Sequence, residues 1–139
     1  MQTVCIQKGK DPYKTTKKAL KMLKFRVKNM KVLVKPNLTT TASSTSGITT
    51  DVNVCGAILE SLHNCDVTIG ESCRSPNATE AFKANGYFEL AEEFGCTLLD
   101  FDNDLKIIKQ IPNISIRLFC AIACLYYIFD WFISFSIFY

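Results

Sequence analysis

The segment Lys31-Val32-Leu33-Val34-Lys35-Pro36-Asn37-Leu38 decides the fold class. Its branched apolar run ends at a proline, which cannot donate to a β-ladder, so it reads as a buried strand stopped after Lys35. Two runs of the same kind follow, Asp66-Val67-Thr68-Ile69-Gly70 and Cys96-Thr97-Leu98-Leu99-Asp100. Helical patterns lie between them. Asp51 is placed to cap a helix running to about Asn64, with Val54, Ile58, Leu59 and Leu62 inward. Asn77-Ala78-Thr79-Glu80 has the form of a capping box and opens a helix to Asn85. Gly86 breaks that helix, a second short one spans residues 88–94, and Gly95 suits the left-handed position after it. Toward the N-terminus, Asp11 and Pro12 open a helix to about Lys28, and residues 2–6 read as a short first strand. This alternation implies βαβ units. Residues 1–110 are therefore expected to form an α/β domain, a partial, mostly parallel sheet of about four strands with flanking helices.

The chain has 139 residues, 48% hydrophobic and 21% charged. That fits one small domain and excludes a disordered or collagen-like chain. Seven cysteines, an odd number with no Cys-x-x-Cys pair, argue against a closed disulfide framework and a zinc ribbon. The single histidine, His63, excludes a histidine-based triad and is expected near a helix C-terminus, where a cation is favoured. The net charge of +3 hides a split: residues 1–35 carry eleven Lys/Arg against one acid, and residues 36–113 carry four against eleven. No aromatic residues interleave with the N-terminal lysines, so these read as the solvated face of the first helix and no nucleic-acid partner is expected. Residues 1–30 lack the apolar core of a signal peptide. The expected location is cytoplasmic, and the Asn-x-Ser/Thr sequences at Asn37, Asn77 and Asn113 read as chance.

Residues 111–139 form a hydrophobic tail of different character. From Ile114 onward it holds five Phe, three Tyr, one Trp and six Ile, with only Arg117 and Asp130 charged. It has a helical reading, but Asp130 inside a bilayer costs about 3 kcal/mol and makes a poor span. Its composition is also that of out-of-frame AT-rich DNA, so a frameshift near residues 107–113 is the competing expectation.

Several pieces, in order, carry a family resemblance: residues 32–38, Gly47-Ile48-Thr49-Thr50-Asp51, Val67-Thr68-Ile69-Gly70-Glu71-Ser72, Thr79-Glu80-Ala81-Phe82-Lys83-Ala84-Asn85-Gly86-Tyr87, Leu90-Ala91-Glu92-Glu93-Phe94-Gly95 and Leu98-Leu99-Asp100-Phe101-Asp102. Together they resemble the N-terminal part of the domain of unknown function 362 family of archaea and bacteria. The resemblance implies an iron–sulfur-associated redox or cofactor-handling protein, whose longer members hold four-iron clusters on closely spaced C-terminal cysteines. Here Cys5, Cys55, Cys65, Cys73, Cys96, Cys120 and Cys124 do not follow that spacing, so no cluster is expected on this chain. The chain reads as a truncated member, inactive alone, whose open sheet edge a missing C-terminal half or an oligomer would cover. The alternative is a small membrane-associated binding protein anchored by residues 114–139.

In open α/β sheets, ligands bind beyond the carboxyl ends of the strands. Three loops leave such ends: residues 35–51, in which Ser and Thr predominate, Gly70-Glu71-Ser72-Cys73-Arg74, and Asp100-Phe101-Asp102. Neither a Walker loop nor a Gly-x-Gly-x-x-Gly fingerprint is present. Lys35, Asn37, Thr49, Thr50, Asp51, Glu71 and Ser72 are the expected set for a small phosphate- or carboxylate-bearing ligand, with Lys35 supplying charge and the helix after Asp51 its free N–H groups. Glu71, Asp100 and Asp102 are hard oxygen donors and the expected set for a divalent metal. Plainer readings stand beside these: Asp51 as a helix cap, Asp100 and Asp102 as a polar strand end, Lys35 as a solvated cation. Alanine at Lys35 or Glu71 is expected to remove ligand binding with little loss of stability. No residue is singled out as catalytic, and no reaction is indicated.

Overall fold

A computed structural model describes residues 4–73 and 76–104, together with the backbone of two strands at 106–109 and 118–121. The fold is α/β. Helix α1 (Pro12–Met22) starts where Asp11 accepts a hydrogen bond from the Lys14 N–H at 2.9 Å and Pro12 supplies the first helical residue. Helix α2 (Val52–Leu59) is capped by Asp51, and α3 (Ala78–Ala84) by Asn77, which accepts from the Glu80 N–H at 2.8 Å. Helix α4 (Tyr87–Phe94) ends at Gly95, whose φ of 65° is the left-handed closure expected from sequence.

Three parallel strands form the sheet, in the order β2 (Lys31–Val34), β4 (Asp66–Glu71), β5 (Thr97–Asp100). Each crossover moves the chain one strand further in the same direction. Val32, Val34, Val67 and Ile69 pack against Leu20 of α1, Val54 and Ile58 of α2, Phe82 of α3, and Tyr87 and Leu90 of α4, in one core. Leu33 points to the opposite face, where it meets Phe101. The period of two along β2 thus divides the sheet into a helix-covered face and a second face held, among the described residues, by a smaller cluster.

The remaining short strands correct the sequence reading. Residues 4–6 form no strand; Val4 and Ile6 are exposed, and Gln7 Nε2 donates to the Met22 sulfur instead. The first helix ends at Met22 rather than near Lys28, because Lys24 turns left-handed at φ 51° and the Phe25 N–H closes onto the Leu20 carbonyl. The freed residues Val27–Lys28 form β1, paired in parallel with β3 (Leu62–His63), which likewise replaces the expected last turn of α2. His63 is therefore an exposed strand residue, not a helix-end cation.

Val27 faces Leu62 and Lys31 faces Asp66, so β1–β3 keeps the register of β2–β4. The two pairs are one ladder, interrupted where Asn29 (φ 57°) and Asn64 (φ 54°) both turn left-handed. The Asn29 N–H bonds the His63 carbonyl and the Asp66 N–H bonds the Met30 carbonyl across the break. Asparagine tolerates that backbone region better than most residues, which is the sequence signal for the interruption.

Strand β6 (Lys106–Lys109) pairs antiparallel with β7 (Leu118–Ala121). Residues 118–121 of the tail are thus extended rather than helical. The other tail residues and Arg74 lie outside the described residues. Among the described residues, no helix is long and apolar enough to cross a membrane.

Candidate functional site

The carboxyl ends of β2 and β4 meet at Glu71, the last residue of β4. Its side chain is 3% exposed and forms an ion pair with Lys35 Nζ at 2.6 Å. Both carboxylate oxygens are occupied. Oε1, which faces Lys35, also accepts from the Ser72 N–H at 2.8 Å, and Oε2 accepts from the Leu38 N–H at 3.0 Å. Leu38 is fully buried, so this carboxylate satisfies a backbone donor that water cannot reach. The Lys35 side chain is 35% exposed. An ammonium has three donors, and Glu71 uses one, which leaves two donors at the mouth of the crevice.

The loop that follows Lys35 is closed at its base. The Asn37 N–H donates to the Thr50 hydroxyl at 2.9 Å, the Thr50 N–H returns to the Asn37 carbonyl at 2.8 Å, and the Asn37 side chain donates to the Ile48 carbonyl at 2.8 Å. Leu38 and Thr49 form an antiparallel bridge beside them. The Thr49 hydroxyl donates to the Ala42 carbonyl, and the Ser44 hydroxyl donates to Asp51, which also caps α2 through the Asn53 N–H. Thr49, Thr50 and Asp51 therefore hold the loop's own shape. Their abundance in the sequence reflects a long loop that must satisfy its backbone without regular structure.

At the third strand end, the Ser72 hydroxyl donates to Asp102 at 3.0 and 3.1 Å. Asp100 accepts from the Asp102 N–H and from the Asn103 side chain, forming a local turn. Glu71, Asp100 and Asp102 share one end of the sheet, but Glu71 is turned inward to Lys35 and Leu38. Among the described residues, no three His, Cys, Asp or Glu side chains are grouped as a metal set. Lys35, Glu71, Ser72 and Asp102 are linked in one constellation.

A family model described as Domain of unknown function (DUF362) matches residues 32–138. The chain belongs to this family. The DUF362 match begins inside β2 and includes the whole of this constellation, and it runs past the change of composition at residue 114. No curated protein and no solved structure matches the chain.

Two residues of the DUF362 core support the loop from below and escaped the sequence reading. The Tyr87 hydroxyl donates to the Thr50 carbonyl at 3.2 Å and lies 3.5 Å from the Cys55 sulfur. Tyr87 directly after a glycine at a helix start was the available signal, since a buried tyrosine needs a partner for its hydroxyl. Among the described residues, Cys5, Cys55, Cys65, Cys73 and Cys96 sit on separate segments, and burial pushes the Cys55 thiol from 9.0 up to about 11, away from the thiolate a cluster needs.

Burial also raises the Tyr87 hydroxyl above its ordinary value of 10.0. Both shifts mean that the folded chain keeps these protons to higher pH than the unfolded chain. Between about pH 9 and 11 the unfolded state loses them first, so stability falls as pH rises through that window. The urea midpoint should decline from pH 8.5 to 10.5, and Cys55→Ala should decline less steeply. Equal slopes in the two proteins would exclude Cys55 as a cause.

Proposed function

We propose that this chain is an anion-binding α/β module of the DUF362 family, which holds a small carboxylate- or phosphate-bearing ligand at the carboxyl ends of β2 and β4. The observation that carries this reading is the Lys35–Glu71 pair. A buried carboxylate, pinned by two backbone N–H groups, fixes a partly exposed ammonium at the place where open α/β sheets take ligands. Glu71 is the positioning residue and Lys35 is the group that meets the ligand. Ser72 can exchange its hydrogen bond to Asp102 for one to the ligand. The resemblance to iron–sulfur-associated proteins makes this module, in our reading, the ligand-holding part of a redox or cofactor-handling protein.

Calorimetric titration of the full chain with orthophosphate, malonate and citrate tests the proposal. At least one anion should bind, with affinity at least tenfold lower in Lys35→Met and partly retained in Lys35→Arg. Unchanged affinity in Lys35→Met, or no binding of any anion by the folded chain, would overturn it.

A further inference from the structure

At the opposite end of the strands, where β1 and β3 precede β2 and β4, lies a groove of about 540 Å3. Leu20, Phe25 and Val27 give it apolar lining, Lys17, Lys21, Lys24, Arg26 and Lys28 make its other side chains mostly cationic, and the lone histidine, His63, also lines it. The one acid of the groove, Glu60, is already paired with Lys17 at 3.1 Å. Hydrogen bonding from Tyr13, and then Lys17, holds Glu60 below the usual carboxylate range. Lys21, Lys24, Arg26 and Lys28 are exposed and, among the described residues, have no carboxylate within 4.0 Å.

The helix dipole favours cations at the end of α1, which accounts for Lys21 and Lys24. It does not account for Arg26 and Lys28, which lie beyond the helix. The backbone adds a second observation. Lys24 occupies a left-handed position, φ 51°, where glycine is the unstrained choice, yet the position carries a cation that lines the groove. The volume lies in the range of small-ligand sites and is concave, unlike a flat membrane face. Phe25, the one aromatic ring lining the groove, is packed against the core, so the groove has no platform for stacked bases.

We infer that this groove is a second binding site, distinct from the Lys35 crevice, for a small ligand carrying two or more phosphate groups. Lys24, Arg26 and Lys28 take the phosphates, and the apolar floor takes whatever organic part the ligand carries.

His63 gives a built-in reporter, because its imidazole NMR signals are the only ones in the chain. Inorganic tripolyphosphate, added to the full-length protein at fixed pH, should shift them saturably, with orthophosphate at least tenfold weaker. Lys24→Gln/Lys28→Gln should weaken tripolyphosphate at least tenfold while circular dichroism stays unchanged. Lys14→Gln/Lys83→Gln, which removes the same charge elsewhere, should leave it intact. Lys35→Met should also leave the His63 shift intact, which separates this site from the crevice. An unsaturable shift, equal losses in both lysine pairs, or loss in Lys35→Met would overturn the proposal. So would binding of a single-stranded oligonucleotide or phosphatidylserine vesicles through Lys24 and Lys28 with tripolyphosphate inert.

Discussion

Glu71→Ala should cost about 3 kcal/mol or more of folding stability, near the low end of what removal of one partner from a buried ion pair costs. This differs from the sequence-based expectation that alanine here leaves stability almost unchanged, because Glu71 is nearly inaccessible and its two oxygens hold three donors. The least replaceable of these is the Leu38 N–H. Leu38 is fully buried, so its amide loses its acceptor where water cannot enter, at a cost of about 1–3 kcal/mol. Lys35 suffers less, since its ammonium can turn to solvent. Glu71→Gln keeps one acceptor, enough for the Leu38 amide, but loses the charge and sets an NH2 group against the Ser72 N–H and the Lys35 ammonium, and should cost about 1.5–3 kcal/mol. Lys35→Met leaves a buried carboxylate without its cation, and Lys35→Met/Glu71→Gln should recover part of that loss, a coupling that a double-mutant cycle in urea measures. Alanine and glutamine variants of equal stability, both within about 0.5 kcal/mol of the parent, would place Glu71 outside the structural network altogether.

The strands were legible because their chemistry is local. Val32-Leu33-Val34 before Pro36, and Val67-Thr68-Ile69 before Gly70, are short apolar runs that fit a buried parallel sheet. The three helix caps at Asp11, Asp51 and Asn77 were legible for the same reason. Where pairing decides, sequence pattern failed. Val27-Lys28 and Leu62-His63 continue the apolar stripes of two helices, and only the ladder that joins them across Asn29 and Asn64 makes them strands. Residues 2–6 show the converse: an apolar run without a neighbour forms no strand over residues 4–6. Site chemistry divides along a similar line. Lys35 and Glu71 were identified from their places after two strands. Their direct pairing was not, nor was the inward turn of Thr49 and Thr50, because a side chain's partner in a long loop depends on how that loop closes. The lysines of residues 14–28 read as one solvated helix face, yet the helix ends at Met22, and of the cations lining the groove Lys21 lies on α1, Lys24 and Arg26 in the turn after it, and Lys28 on β1.

Gly70→Ala should destabilise the protein by about 1–3 kcal/mol, although alanine in a strand ordinarily improves on glycine by about 0.5–1 kcal/mol. The reason is a close approach on the second face of the sheet. A Cβ at Gly70 would run into the edge of the Phe101 ring and come within 3.1 Å of Leu33 Cδ1. Both neighbours are held in place. Leu33 is fully buried in the central part of β2, and the Phe101 backbone is tied to β4 through its N–H to the Glu71 carbonyl at 2.9 Å. Glycine therefore lets the ring edge approach the strand one residue from the Lys35–Glu71 pair, so the packing of this face and the geometry of the crevice are linked. The test is a cycle with Phe101→Leu, which removes the ring edge. That change alone should cost stability by leaving a void. Combined with Gly70→Ala it should cost less than the two single losses together, by about 0.5–3 kcal/mol. Thermal unfolding of the four proteins reads this directly. If Gly70→Ala raises the melting temperature, or if the two effects simply add, the ring does not dictate the glycine.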